Sequence, residues 1–206
     1  MSTFILIPGA GCDAGYWGQV ADELRGLGHE AVPVRLPNED DGAGLAEYAD
    51  AVVEAIGSRR DVVVVAHSFG GFTAPLVCDR ASVERIVLVS AMIPAAGEAP
   101  GDWWTNTAHA TSGDEDVFYN GLTAEERVEA ELYERGQSST PMARPWPLAA
   151  WPDVPTRFVL FRDDRFFPAE FMRRVVRERL GIEPVEMGGG HMAMLSRPAE
   201  LARLLV

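Results

Sequence analysis

Asp61-Val-Val-Val-Val-Ala-His-Ser-Phe-Gly-Gly71 is the stretch around which the rest of the chain is organised. Four consecutive valines make a short run of β-branched residues, the composition of a strand buried on both faces. The run stops at a small residue, a histidine, one serine, a bulky residue and two glycines. A serine flanked by small residues suits a sharp strand-to-helix turn, which strains its backbone and points Oγ out of the sheet. The usual spacing is G-x-S-x-G; Ala66-His67-Ser68-Phe69-Gly70 has alanine at the first position, where one methyl is tolerable. Ser68 is therefore a candidate nucleophile. Taken alone, the pentapeptide also fits a plain strand–turn–helix with an N-capping serine, so the remaining chain has to decide.

Outward from this stretch, short apolar runs alternate with helical patterns. Thr3–Ile7 reads as a strand, followed by the glycine-rich loop Pro8–Gly15. Trp17, Val20, Ala21 and Leu24 fall at helical spacing and are closed by Gly26 and Gly28. Ala31–Leu36 is the next strand, and Leu45, Tyr48, Ala49, Val52 and Ile56 form a second helical stripe. After Ser68 a helix is expected to run to about Arg80, with Pro75 as a local conflict that makes a kink or a distorted turn. Arg85–Ser90, Thr156–Phe161 and Pro184–Met187 read as strands, and Pro168–Leu180 and Pro198–Leu205 as helices. This rhythm predicts an α/β domain over residues 1–206, with a mostly parallel sheet of about six strands covered by helices on both faces. It is interrupted at about 94–152, a stretch rich in Trp, Pro, Gly and acids. One helix is expected there, with Thr123 and Glu126 as its capping box and Val128 and Leu132 on one face. The stretch reads as a short cap inserted into the sheet domain.

Composition narrows the function class. At 206 residues there is enough chain for one sizeable core. The net charge of −13, with every one of the 18 basic residues an arginine, argues against nucleic acid or an anionic membrane as partner. Cys12 and Cys78 are far apart and without metal spacing, as expected of free thiols in a reducing cytoplasm. The chain enters an apolar strand at once, with neither a basic leader nor a cleavage site, and has no stretch of about 18 apolar residues. A cytoplasmic protein follows as the expectation.

A serine hydroxyl needs a base. His29 sits in a turn, His67 points away from Oγ in the proposed elbow, and His109 lies in the insertion. His191, in Gly188-Gly-Gly-His191 after the last strand, is the candidate. The base needs an orienting carboxylate, and functional groups of such a sheet gather at the carboxyl ends of its strands. The fourth strand ends in Ser90-Ala-Met-Ile-Pro94 without an acid, whereas the fifth runs into Asp163-Asp164, so one of this pair is expected. N–H donors for an oxyanion are expected from Phe69, at the turn after the serine, and from the Pro8–Gly15 loop at Ala10. That loop departs from G-x-G-x-x-G, and no ribose-binding acid follows the second strand, which weakens a nucleotide reading.

From end to end the chain resembles the α/β-hydrolase superfamily, and within it the branch of plant methylesterases and hydroxynitrile lyases. Phe4-Ile-Leu-Ile-Pro-Gly-Ala-Gly-Cys12 resembles their first strand and oxyanion loop, with Pro8 where histidine is common. Gly-Gly-His191-Met-Ala-Met-Leu-Ser-Arg-Pro198 resembles their histidine segment, and Asp163-Asp164-Arg-Phe-Phe-Pro168 their acid segment. The resemblance implies Asp164 as the triad acid. The lyases keep a threonine at the position of Gly9 and a lysine after the histidine; Gly9 and Met192 match the esterases instead. The chain begins at the strand before the oxyanion loop, and its cap is short for the family.

Aromatic and sulfur-bearing residues gather in the insertion, and Trp103, Trp104, Phe118 and Trp146, with Met192, are expected to line a substrate pocket. The expectation is a cofactor-free, metal-free serine carboxylesterase for small uncharged hydrophobic esters. Its partner would be a small-molecule substrate, and assembly as a homodimer is left open. The alternatives are a receptor on the hydrolase scaffold, or another triad reaction such as C–C bond cleavage or perhydrolysis.

Overall fold

In the computed structural model, which describes residues 1–109 and 115–206, six strands form one sheet: β1 (Thr3–Ile7), β2 (Glu30–Pro33), β3 (Val62–His67), β4 (Val83–Val89), β5 (Thr156–Phe161) and β6 (Val185–Met187). Their order is β2-β1-β3-β4-β5-β6, every pairing is parallel, and β3 lies inside the sheet. The helices are α1 (Gly18–Gly26), α2 (Leu45–Ile56), α3 (Trp103–Asn106), α4 (Ala124–Leu132), α5 (Thr140–Ala143), α6 (Ala169–Leu180), α7 (Ala193–Ser196) and α8 (Pro198–Leu205). The anticipated α/β-hydrolase architecture is present.

The four valines explain the layering. Successive side chains of a strand point to opposite faces, so a strand covered on both sides is apolar at every position. Val62, Val64 and Ala66 join a core with α2 and α6, while Val63 and Val65 join a second core with α1, α7 and α8. Each helix feeds its core through one stripe: Tyr48, Val52 and Ile56 from α2, and Leu201, Ala202 and Leu205 from α8.

Three expectations need correction. No α-helix follows Ser68; the chain makes two 3₁₀ turns, Ser68–Phe72 and Ala74–Val77. Two glycines at its start and Pro75 inside it deprive the segment of the propensity and the N–H donor that a continuous helix needs. The glycines are needed for space: a Cβ at Gly71 would lie 1.9 Å from the Met92 carbonyl oxygen, and one at Gly70 2.8 Å from that of Pro8. The second strand is Glu30–Pro33 rather than Ala31–Leu36; its last bond to β1 is the Val34 N–H to the Leu6 carbonyl at 2.9 Å, and Pro33 sits where its missing N–H would face the free edge of the sheet. The expected capping box of α4 is present, with the Glu126 N–H 3.2 Å from Thr123 Oγ1 and the Thr123 N–H 2.8 Å from Glu126 Oε2. Its Val128 and Leu132, however, are 60% and 76% exposed, and only Ala130 of this helix is buried.

Residues 110–114 of the 94–152 insertion lie outside the described residues. The rest is fastened to the sheet domain at both ends. Trp103 Nε1–H donates to the Ile93 carbonyl at 3.0 Å and Trp146 Nε1–H to that of Phe72 at 3.1 Å. The buried Glu98 carboxylate receives Arg179 of α6 on both oxygens, together with the Asn106 amide and the Ala95 N–H. Between these anchors the chain returns past the loop after β1. Cys12 and Glu134 form an antiparallel bridge, with Asp13 N–H donating to the Tyr133 carbonyl and Arg135 N–H to that of Gly11, each at 2.7 Å. No helix among the described residues is long and apolar enough to cross a membrane.

Candidate active site

The carboxyl ends of β1, β3, β4, β5 and β6 converge on one place. Ser68 follows β3 with φ +51°, a left-handed conformation that costs a non-glycine residue energy and is held by its surroundings. Its carbonyl accepts the Met92 N–H at 2.9 Å, which pins the turn to the segment after β4. His191 Nε2 lies 3.2 Å from Ser68 Oγ, and His191 Nδ1 lies 2.8 Å from Asp164 Oδ2. Because a carboxylate only accepts, Nδ1 carries the proton and Nε2 is free to accept from the serine hydroxyl. All three residues are buried.

The two acids of the pair are separated by function. Asp164 Oδ1 accepts the Phe166 and Phe167 N–H groups, each at 2.8 Å, so the carboxylate is fixed from behind. Asp163 faces the neighbouring loop, where its Oδ2 accepts the Gly189 N–H at 2.8 Å. It therefore braces the backbone that carries His191 and leaves the ring to Asp164.

Phe69 stands in the first turn of Ser68–Phe72, where N–H groups have no acceptor within the helix. Ala10 borders the same space as Ser68. Gly9 lets this loop approach: a Cβ there would come within 3.0 Å of Ser68 Cβ.

Two residues at the site carry roles that the sequence reading missed. Ser90, at the end of β4 with φ +38°, donates its hydroxyl to Asp164 Oδ2 at 2.6 Å. Tyr16, fully buried, accepts the Gly9 N–H at 3.0 Å and meets His67 Nδ1 at 3.0 Å. His67 Nε2 lies 3.0 Å from the His191 carbonyl oxygen, which fixes Nε2 as the donor and Nδ1 as the acceptor of the tyrosine proton. Burial, and then the neighbouring His191 ring, push the His67 imidazole well below its usual pKa. His67 is thus a neutral link between the Pro8–Gly15 loop, through Tyr16, and the backbone of His191. No sequence signal marks Tyr16 or Ser90, since the Asp164 partner of Ser90 and the His67 partner of Tyr16 are distant in the chain.

Ser68 opens on two cavities. One, of about 170 Å³, includes Cys12, Phe118, Tyr119, Glu134, His191 and Met192 in its lining. The other, of about 190 Å³, includes Phe69, Met92, Trp104, Phe118, Met142 and Phe166. Of the expected pocket residues, Trp104, Phe118 and Met192 reach these cavities. Trp103 and Trp146 do not: both are fully buried, and their indoles pack into the core that joins the insertion to the sheet. Composition reports an aromatic cluster but not which face each ring turns to.

Comparison with known proteins fits this geometry. The family model described as "Alpha/beta hydrolase family" matches residues 4–204. Norfluorocurarine synthase 1 of Strychnos sp is 24% identical over 98% of this chain and 93% of its own length. "Probable esterase PIR7A" of Oryza sativa subsp. indica is 26% identical over 98% and 95%. Among solved structures, an extracellular alpha/beta-hydrolase from a Paenibacillus species superposes with a TM-score of 0.82 at 22% identity, covering 100% of this chain and 98% of that one.

Proposed function

Because the chain belongs to the alpha/beta hydrolase family, we propose that it is a cofactor-free serine carboxylesterase acting on small, uncharged, hydrophobic esters. The observation that carries the reading is the hydrogen-bonded chain Ser68 Oγ–His191–Asp164, with contacts of 3.2 and 2.8 Å. In the proposed reaction His191 Nε2 takes the serine proton as Oγ attacks the ester carbonyl carbon. The carbonyl oxygen becomes an oxyanion held by the N–H groups of Phe69 and Ala10. As the intermediate collapses, the bond to the alcohol oxygen breaks, and His191 returns the proton to that oxygen. Water then attacks the acyl-enzyme by the same route and releases the acid and Ser68. Asp164 keeps Nδ1 protonated throughout and stabilises the imidazolium. Gly9 and Met192, in place of the threonine and lysine of the lyases, support hydrolysis over cyanohydrin cleavage.

The test is a fluorophosphonate probe followed by a panel of nitrophenyl esters. Labelling at Ser68 and turnover of short and medium esters are expected. Ser68→Ala should abolish labelling and lower turnover by on the order of 10⁴-fold or more. Near-wild-type turnover in the variant would refute the nucleophile. The likeness to a protein named a synthase favours a second reading, another reaction run by the same three residues. Strong labelling with no ester turned over would select it.

A further inference from the structure

The two cavities meet at Ser68 and share only Ala10, Ser68 and Phe118. Their walls differ in chemistry. The cavity towards Trp104 and Met142 carries no ionisable group in its lining. The cavity towards Tyr119 carries one carboxylate, Glu134, which accepts the Tyr119 hydroxyl, together with the two imidazoles of His67 and His191 and no arginine. They also differ in their relation to the base: His191 and Met192 line the Tyr119 cavity and not the other.

That asymmetry fixes a direction. The alcohol oxygen must take its proton from His191 Nε2, so whatever is attached to that oxygen lies on the histidine side. The acyl group leaves the same carbon in another direction. We propose that the cavity bounded by Met92, Trp104, Met142 and Phe166 is the acyl subsite. The cavity bounded by Tyr119, Ala130, Glu134 and Met192 is the subsite for the departing alcohol, and the alcohol presents a cation or a hydrogen-bond donor to Glu134. The assignment rests on the esterase reading and revises it on the alcohol side, where a cation or a hydrogen-bond donor takes the place of a wholly uncharged, hydrophobic group. The two volumes are similar, so neither side of the ester is confined to a methyl group. Arg127 lies over the Tyr119 ring at 5.1 Å and is paired with Asp116, and the exposed Glu134 carboxylate, which holds the Tyr119 hydroxyl, forms no ion pair among the described residues.

The experiment crosses two ester series with three variants. One series keeps the alcohol and lengthens the acyl group from acetate to octanoate. The other keeps butyrate and compares choline with its neutral isostere, 3,3-dimethylbutanol. Met142→Trp, which fills the acyl subsite, is expected to shorten the preferred acyl chain by roughly two carbons without moving the alcohol preference. Ala130→Leu should depress kcat/KM for the bulky alcohols relative to nitrophenol, with the acyl preference unmoved. Glu134→Gln should lower the choline-to-dimethylbutyl ratio of kcat/KM about fivefold, the scale of one partly solvated charge pair. Should Met142→Trp fail to fold, Trp104→Ala enlarges the same cavity and is expected to lengthen the acyl optimum. Exchanged effects of the Met142 and Ala130 variants, or an unmoved ratio in Glu134→Gln, would overturn the map.

Labelling rates of phosphonate esters, varied separately in the alkyl group and in the leaving group, separate this map from the esterase reading. They depend on Ser68 and the cavities but not on ester turnover. Should no carboxylic ester be hydrolysed while these rates keep the split, the esterase reading fails and the subsites stand. Ester hydrolysis without the split overturns the subsites alone.

Discussion

Asp163 and Asp164 are adjacent, chemically identical and sent to different tasks. Asp164 accepts two backbone N–H groups on one oxygen, and the Ser90 hydroxyl and the His191 ring on the other. Asp163 holds the Gly189 N–H. An asparagine at 164 would face the ring with a donor or a poorer acceptor and favour the wrong tautomer, at a cost of about 10⁴-fold in kcat. An asparagine at 163 still offers its carbonyl to Gly189, so less than about a tenfold loss is expected there. Saturating kinetics on both variants checks this, and equal losses would refute the division. At this scale the sequence was partly legible. Ser68 and His191 are marked by their glycine-rich surroundings, and the acid was narrowed by residues alone to a pair. Ser90 and Tyr16 were invisible because their partners lie 74 and 51 residues away.

Among the elements, the parallel sheet was the most legible part, since four apolar β-branched residues in a row admit few other readings. The segment after Ser68 was not, because a helix template was extended through Gly70, Gly71 and Pro75 against their local preferences. The insertion was read as one body, yet its parts are held unequally. Around Glu98, burial works to raise the carboxyl, and the hydrogen bonds from Arg179 and Asn106 outweigh it and hold the carboxyl below its usual range. That junction and the two buried indoles make the ends of the insertion part of the core. Helix α4, by contrast, buries one alanine. Hydrogen exchange should therefore be fastest in Ala124–Leu132, slower around Trp103 and Trp146, and slowest in β3. An ester analogue bound beside Tyr119 and Ala130 should slow α4 selectively. Equal protection of α4 and β3, unchanged by ligand, would make this part of the insertion a fixed wall.

For the whole molecule, acid stability carries the signature of one buried ring. His67 stays neutral in the fold because its pKa is depressed, whereas in the unfolded chain it takes a proton near its ordinary pKa, about 6.5. Below that pH the unfolded state binds the extra proton, so stability is lost as pH falls, by up to about 1.4 kcal/mol per unit. Urea titrations at pH 7.5, 6 and 5 should show this slope, and His67→Gln should lack it; identical slopes would refute the neutral link. The pairing of Tyr133–Arg135 with the loop Gly11–Asp13 has a consequence for anyone who would re-engineer this scaffold. Exchanging the insertion for that of another hydrolase looks like a way to change substrate preference alone. Here the returning segment also holds the loop that carries Ala10, so such a graft would slacken the N–H donors proposed for the oxyanion along with the pocket wall. Chimaeras that retain residues 133–137 should keep their kcat, while chimaeras that replace them should lose it even for a substrate that fits. In this chain specificity and rate are stitched together, and the seam runs through Cys12 and Glu134.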